Sequence, residues 1–249
     1  MKAFATARVC GLSYACLTPK EAAALAKEKM AEGGFFSVFT PGATVHAEAL
    51  KNETHRTLLA SADLRLPDGT GVVRASRLCR APIEERCAGI TFAETLLSVA
   101  EKGTRFFFYG GREGVAARAA ENMKARYPHL SFRAAAGYGP PPMEEIGAFA
   151  PHALFVCLGY PLQEEFILSH KAALSCLCAG LGGSFDVWAG KVPRAPRAWR
   201  RLGLEWAYRT LREPKRLPRL FPLPAYFFAA WREGRKKCRK AETKGDGIG

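Results

Sequence analysis

The sequence lacks the long apolar segments that mark export or insertion into a bilayer. It contains no uninterrupted run of about 18 apolar residues, the length that a membrane-spanning helix requires. Its first 16 residues also lack an apolar core behind basic residues, so we expect no secretory signal there. Both absences predict a cytoplasmic chain.

Patterns typical of metal sites are also missing. None of the eight cysteines forms a Cys-x-x-Cys pair, and the five histidines show no ligand spacing with cysteine. We therefore expect no zinc site and reduced cysteines that serve as small apolar residues. No Asp-x-Asp pair of the kind that holds Mg²⁺ is present, so we expect no essential metal and no cofactor.

Positive charge is concentrated near the C-terminus. The chain has 249 residues, is 48% hydrophobic and carries a net charge of +14. Residues 194–249 contain 16 Lys and Arg against 5 Asp and Glu, so most of the surplus lies there. Such asymmetry indicates an anionic partner for this segment: a membrane surface, a phosphate-bearing substrate or nucleic acid.

Apolar runs alternate with helical patterns over the first 190 residues. Strands are predicted at 35–39, 60–66, 105–109, 130–134, 153–158 and 174–181, and the clearest helices at 17–32, 91–102 and 115–126. This alternation predicts an α/β fold with a mostly parallel, Rossmann-like sheet and helices on both faces. The predicted domain is residues 1–193.

The C-terminal segment has a different character, because prolines and arginines alternate there with aromatic residues. We predict a basic, helical, membrane-associating appendage at 194–231 and a disordered tail at 232–249. Trp199, Leu202, Trp206 and Thr210 are expected on one face of a helix. Nucleic-acid binding and a helical subdomain with a solvated basic face are alternatives. The arginines concerned are Arg194, Arg197, Arg200, Arg201, Arg209, Arg212, Arg216 and Arg219.

Five loops follow predicted strands and carry polar or glycine residues. They are Thr40-Pro41-Gly42, Pro67-Asp68-Gly69, Gly110-Gly111, 159–164 and 182–186. In a parallel sheet the carboxyl ends of the strands share one edge, where ligands bind. We therefore expect a ligand site at this edge.

Three of these candidates have both a chemical and a structural interpretation. Asp68 is a candidate general base, or it caps the helix that follows. Gly110 and Gly111 open a turn that can present a helix N-terminus to phosphate, or they serve a tight turn with positive φ. Arg86, in a loop between helices, can bind a diphosphate or remain solvated.

Two candidates belong to the later loops. The amide of Gln163 can bind a sugar hydroxyl or a base edge, or it is ordinary polarity at a helix start. Asp186 is a second acid or nucleotide ligand, or it belongs to a helix N-terminus. Glu164 and Glu165 are expected to interact with a helix dipole.

Several motifs occur in one order along the chain. They are Thr40-Pro41, Leu66-Pro67-Asp68-Gly69-x-Gly71, Glu85-Arg86-x-x-Gly89, Gly110-Gly111, Gly159-x-Pro161-x-Gln163-Glu164, Gly182-Gly183-Ser184-Phe185-Asp186 with Ala189-Gly190-Lys191-Val192-x-Arg194-Ala195-Pro196, and Leu202-Gly203-Leu204-Glu205-Trp206-x-Tyr208-Arg209 with Glu213-Pro214. This series resembles the WecG/TagA/CpsF glycosyltransferases over about residues 35–220.

The resemblance implies an inverting, metal-independent reaction at the inner face of the plasma membrane. N-acetylmannosamine or a related sugar would move from a UDP-sugar donor to polyprenyl-diphosphate-linked N-acetylglucosamine, as in teichoic acid synthesis. Asp68 would be the base, Thr40 and Gln163 would contact the sugar nucleotide, and Arg86 would hold the diphosphate. Gly110, Gly111 and Asp186 complete the predicted substrate site, over which the appendage would close through Arg209, Arg212, Arg216 and Arg219.

Two positions depart from the family pattern. Gly42 stands where the family usually has Asn, and Leu162 stands where it usually has Lys. Both changes leave the identity of the donor sugar open. A dinucleotide-dependent oxidoreductase that uses the Gly110 turn and a non-catalytic membrane or nucleic-acid adaptor are alternatives. We expect no nucleic-acid partner, and a homo-oligomer is left open.

Overall fold

The computed structural model describes residues 4–196, 198–199 and 202–245, with the side chains of all but Arg209, Arg216 and 239–245. The strands are β1 Thr6–Val9, β2 Leu12–Ala15, β3 Phe36–Phe39, β4 Leu64–Arg65, β5 Arg105–Gly110, β6 Ser131–Ala135, β7 Ala153–Cys157 and β8 Leu177–Gly180. The helices are α1 Pro19–Glu32, α2 Ala43–Ala49, α3 Glu53–Ala60, α4 Thr70–Leu78, α5 Gly89–Val99, α6 Val115–Arg126, α7 Met143–Phe149, α8 Leu162–Ser169, α9 Ser184–Trp188, α10 Glu205–Arg212, a 3-10 helix Pro214–Leu220, and α11 Leu223–Gly245.

Six strands form a parallel sheet in the order β4-β3-β8-β7-β5-β6. All five pairings are parallel, as the alternation of strands and helices predicts. The central strands are buried on both faces: every residue of β7 and β8 is buried. This burial explains their unbroken apolar sequence.

Side chains alternate between the two faces of the sheet. Phe106 and Phe108 of β5 pack among helices α1, α5, α6 and α9, whereas Phe107 and Tyr109 pack on the opposite face. Helices on both faces therefore enclose two apolar layers, which confirms the predicted architecture.

Local signals set several helix boundaries correctly. Thr18 and Glu21 form the predicted capping box, in which Thr18 Oγ1 accepts from the Glu21 amide and the Glu21 carboxylate accepts from the Thr18 amide. Gly33, with φ +73°, ends α1. Because these contacts lie within one helical turn, the sequence alone reveals them.

Two elements were not predicted. The first is the N-terminal hairpin β1–β2, which turns at Cys10 and Gly11 with φ of +45° and +87°. Asn-Gly is the usual sequence of such a turn, so Cys-Gly at these positions gives no turn signal. The second is α3, a mostly polar helix whose only buried residue is Leu59 and which the Asn52 side chain caps.

The C-terminal predictions need two corrections. Trp199 and Trp206 do not share one helix, because the chain turns at Leu202-Gly203 before α10 begins. The tail is helical as far as Gly245, where disorder was expected. The reason is tertiary contact, since α11 packs against α2 and α4.

A buried polar cluster attaches α11 to the domain. The hydroxyls of Tyr14 and Tyr226 lie 3.0 and 3.1 Å from His46 Nδ1, and all three side chains are buried. Burial lowers the pKa of His46 to about 4, so the imidazole is neutral at pH 7 and accepts a hydrogen bond. Among the described residues, no helix has both the length and the apolar character needed to cross a bilayer.

Phe108 tests how far the aromatic layer stabilises the fold. Its ring is fully buried and stacks on Phe155, Phe185 and Trp188. We expect Phe108→Ala to lower the free energy of unfolding by about 3–5 kcal/mol in a denaturant titration. Phe221→Ala is the matched control, because that ring is 79% exposed and its loss should change the free energy by less than about 0.5 kcal/mol. Equal losses in both variants would contradict this assignment of the core.

Candidate active site

The predicted loops do meet at one edge of the sheet. Thr40 follows β3, Asp68 follows the adjacent β4, and the Gly182 loop follows β8 on the other side of β3. The loops that carry Gln163 and Gly110 come after β7 and β5, the next two strands. The order of strands therefore places Thr40 between Asp68 and the Gly182 loop.

Asp68 does not cap the helix that follows it. The N-cap of α4 is Gly69, with φ +81°, and this helix has no side-chain cap hydrogen bond. Asp68 is therefore not the N-cap residue that the helix-cap interpretation predicts. Asp68 instead forms a parallel bridge with Gly42, in the loop after β3, and a Cβ at Gly42 would lie 3.4 Å from the Asp68 carbonyl oxygen.

Arg86 is held close to the Asp68 turn. The Cys87 amide donates to the Pro67 carbonyl at 2.9 Å, so the two loops are joined one residue away from each candidate. Cys87 is fully buried, whereas Arg86 is partly exposed. Burial and the nearby Asp68 charge raise the pKa of the Cys87 thiol to about 12, which keeps it protonated.

Thr40 is fixed against two glycines. Its Oγ1 donates to the Gly180 carbonyl at 3.0 Å. A Cβ at Gly89, the first residue of α5, would lie only 2.7 Å from Thr40 Oγ1. Glycine at this position therefore lets α5 begin directly against the Thr40 hydroxyl.

Gln163 is buried and bonded within the protein. Its Oε1 accepts from the Gly182 amide at 2.9 Å, and its Nε2 donates to Glu164 Oε1 at 2.9 Å. A Cβ at Gly180 would lie 2.9 Å from that Nε2. The predicted contact of this amide with a ligand would use its second N–H or the second lone pair of Oε1, and its carbonyl also holds the loop after β8.

Glu164 is a feature that the sequence analysis missed. The side chain was expected to interact with the helix dipole, but it is 2% exposed and its Oε2 has no hydrogen-bond partner among the described atoms. Burial raises its pKa to about 7. The Tyr160 hydroxyl is also buried, with no partner in the part of the chain that the structure describes, and burial and the Glu164 charge raise the pKa of that phenol. No sequence signal separates Glu164 from the exposed Glu165, because the inward face is set by packing.

The two glycines at the end of β5 are required by the backbone. Gly110 has φ +128°, and a Cβ there would lie 2.5 Å from the Cys157 backbone. Gly111 has φ +72° and donates to the Cys157 carbonyl at 2.9 Å. The tight-turn interpretation is therefore confirmed, while Gly114 leaves the start of α6 without a side-chain cap.

Asp186 lies at the same edge, in the first turn of α9. Its carbonyl accepts from the amides of Lys191 and Val192, and its side chain is half-buried. Its charge contributes to the raised pKa of the buried Cys157 thiol, after burial itself. The position fits either of the predicted interpretations.

The C-terminal segment reaches the site through its backbone. Thr70 lies two residues after Asp68, and its Oγ1 donates to the Gly203 carbonyl at 2.9 Å. Gly203 has φ +70°, and a Cβ there would lie 2.3 Å from Thr70 Cγ2. The turn that separates Trp199 from α10 therefore lies on the N-terminus of α4.

The predicted arginines have different surroundings. Arg194 does not face solvent as a membrane ligand, because it pairs with Glu94 at 2.6 Å and donates to Thr91. Arg212 lies over the Tyr208 ring, and Arg219 is exposed. The structure does not describe the side chains of Arg209 and Arg216, and Arg197, Arg200 and Arg201 lie outside the described residues.

The buried Glu164 predicts a specific pH dependence of stability. Its folded-state pKa of about 7 exceeds the ordinary value of 4.5, so ionisation penalises the folded state increasingly as pH rises from 4.5 through 7. We therefore expect the free energy of unfolding of Glu164→Gln, relative to that of wild type, to increase by about 2–3 kcal/mol as the pH rises from 5 to 8. Denaturant titrations at several pH values measure this difference. The exposed neighbour provides the control, since Glu165→Gln should show no such gain. The same profile for both variants would contradict a buried, ionisable Glu164.

Comparisons with known proteins show which family the chain resembles. Residues 7–240 match the Glycosyl transferase WecG/TagA/CpsF family. A relative from Bacillus spizizenii is 38% identical over 215 residues, which cover 83% of this chain and 82% of the relative. Relatives from Bacillus subtilis strain 168 and Staphylococcus aureus strain MW2 are 36% and 33% identical over 198 and 200 residues, covering 76% and 78% of each chain.

All three relatives carry the name N-acetylglucosaminyldiphosphoundecaprenol N-acetyl-beta-D-mannosaminyltransferase. The match spans both the parallel sheet and the C-terminal helices, so it covers the loops of the candidate site and the segment that lies against them. The chain therefore belongs to the WecG/TagA/CpsF glycosyltransferase family.

Proposed function

We propose that this chain transfers N-acetylmannosamine, or a closely related sugar, from a UDP-sugar to polyprenyl-diphosphate-linked N-acetylglucosamine. The relatives are named for this sugar and this class of acceptor. The observation that carries the proposal is the position of Asp68 at the edge of the sheet, beside Thr40 and the Arg86 loop, with Gly69 and not Asp68 as the N-cap of α4. An oxidoreductase or adaptor function has no comparable support.

In the proposed reaction Asp68 takes the proton from the acceptor hydroxyl. The freed oxygen attacks the anomeric carbon of the donor sugar, the bond from that carbon to UDP breaks, and the configuration inverts. The proton remains on Asp68 and the electron pair leaves with UDP. Glycines on both sides of the turn, Gly69 and Gly42, let an acceptor approach the carboxylate closely.

The leaving UDP needs positive charge, which the protein supplies without a metal in this proposal. Arg86 can bind the diphosphate through its planar fork. The N-terminus of α6 can add backbone amides, because Gly114 provides no side-chain cap. The link between Cys87 and Pro67 keeps the arginine and the base in one unit.

Membrane association is proposed from the C-terminal surface. Exposed apolar side chains are grouped there, and arginines and lysines lie among them. Phe228 stacks on Trp231, whose ring also carries the Arg235 guanidinium at 4.9 Å. Aromatic and basic side chains together favour the headgroup region of an anionic membrane, where the lipid-linked acceptor resides. The exposed apolar residues are Leu211, Leu217, Phe221, Phe228 and Trp231.

The role of Asp68 is tested by Asp68→Asn in an assay of UDP release that depends on the lipid acceptor. We expect a rate loss of about 10²–10⁴-fold with unchanged UDP binding, because the amide cannot accept the proton. Wild-type transfer should be equal with Mg²⁺, with Mn²⁺ or with EDTA present during the assay. Glu145→Gln, at an exposed carboxylate on α7, is the control. A folded Asp68→Asn protein with the wild-type rate would exclude Asp68 as the base.

The proposed closure of the appendage over the site is tested at Gly203. In Gly203→Ala the new Cβ would collide with Thr70, so the turn at 202–204 must move away from Asp68. We expect transfer to fall by at least about tenfold, which corresponds to about 1.4 kcal/mol in the barrier.

Gly33→Ala is a closely matched control for this variant. Gly33 has φ +73°, and nothing lies within 4 Å of the position that a Cβ would take there. This change introduces the same backbone strain without a collision, so it should lower stability by about 1–2 kcal/mol and leave the rate unchanged. Equal rates for both variants would show that the position of the appendage does not matter for transfer.

A further inference from the structure

A second cluster of reactive side chains lies away from the edge of the sheet. Cys10 is in the turn of the β1–β2 hairpin, Cys79 follows α4, and Glu233 is on α11. The two Sγ atoms and a Glu233 carboxylate oxygen all lie within 4.8 Å of one another. Three segments that are distant in sequence therefore bring two thiols and a carboxylate to one point.

The backbone positions Cys10 for this contact. Cys10 has φ +45°, in the left-handed region that residues other than glycine, asparagine and aspartate seldom adopt. The conformation directs a buried thiol, 8% exposed, towards the fully buried Cys79.

The distances fit a tetrahedral metal with thiolate ligands. The two sulfurs are 3.9 Å apart. With Zn–S bonds of about 2.3 Å, a tetrahedral angle places two sulfurs about 3.8 Å apart. Glu233 is the third protein ligand, and its side chain is 26% exposed. An ion and a water as fourth ligand can therefore enter from its side.

The charges around the cluster also balance for a divalent ion. Two thiolates and one carboxylate carry three negative charges, and a divalent cation with Lys237 carries three positive ones. Lys237 Nζ lies 2.9 Å from Glu233 Oε1 and donates to the Cys79 carbonyl at 2.9 Å.

We propose that Cys10, Cys79 and Glu233 form a structural site for Zn²⁺, which binds with release of the thiol protons. The ion would join the hairpin, the end of α4 and α11. It would lie at the opposite end of α4 from Asp68, about 13 Å along a nine-residue helix, and so outside the reaction. The proposal opposes the expectation of no zinc site, which rested on the spacing of His and Cys in the sequence.

The direct test is the metal content of the full chain, purified with its thiols reduced and without chelator. We expect about one zinc per chain by inductively coupled plasma mass spectrometry. X-ray absorption spectroscopy should show two sulfur ligands at Zn–S distances of about 2.3 Å. The melting temperature of the zinc-free protein should rise with added zinc. A reduced protein that neither contains nor binds zinc, or a Cys10–Cys79 disulfide formed in its place, would overturn the proposal.

Variants separate this site from other thiols. Cys79→Ser and Glu233→Gln should each weaken zinc affinity by at least about 10-fold, since even changes beyond the ligands cost 10- to 100-fold. Cys238→Ser is the control on α11, because Cys238 does not belong to the cluster. If Cys79→Ser does not fold, the absorption spectrum and Glu233→Gln still decide the question. Unchanged zinc affinity in Glu233→Gln with no Zn–S signal in wild type would place any bound metal elsewhere.

Discussion

The parallel pairing of six strands is the constraint on which the rest of this structure depends. Because every strand of the sheet runs in one direction, all their carboxyl ends lie along a single edge. Loops separated by more than 100 residues then become neighbours, as the bond from Thr40 to the Gly180 carbonyl shows. Glycines at the contact points, Gly89 among them, let backbone and side chains approach more closely than a Cβ would permit.

The sequence predicts what local patterns determine. Apolar runs give the strands, the capping box gives the start of α1, and alternation of strands and helices gives the parallel sheet. Motif spacing also identifies the loops that meet at one edge of the sheet. Asp beside Gly and Thr fits either a cap or a catalytic residue, and only the structure shows that the N-cap is Gly69 and not Asp68.

Features set by long-range packing escaped prediction for a common reason. Glu164 and Glu165 are adjacent residues of the same type, yet only Glu164 is buried. The difference arises because α8 packs against the Gly182 loop with the Glu164 side of the helix inward. The helix at the C-terminus has a basic, polar sequence that favours disorder by composition. Its apolar and hydrogen-bonding contacts with α2 and α4, such as Tyr226 with His46, provide the stabilisation that composition cannot reveal.

These contacts connect the C-terminal segment to the site in a defined way. Helices α2 and α4 are the two that follow Thr40 and Asp68, and α11 packs against both. A shift of α11 would therefore be transmitted to the helices that position the two loops, while the Gly203 turn would move with Thr70. In the proposed reaction, a membrane that engages the exposed aromatic residues of α11 would act on a helix that packs against the two helices following Thr40 and Asp68. This packing gives the proposal a physical link between a peripheral helix and a site at the sheet edge.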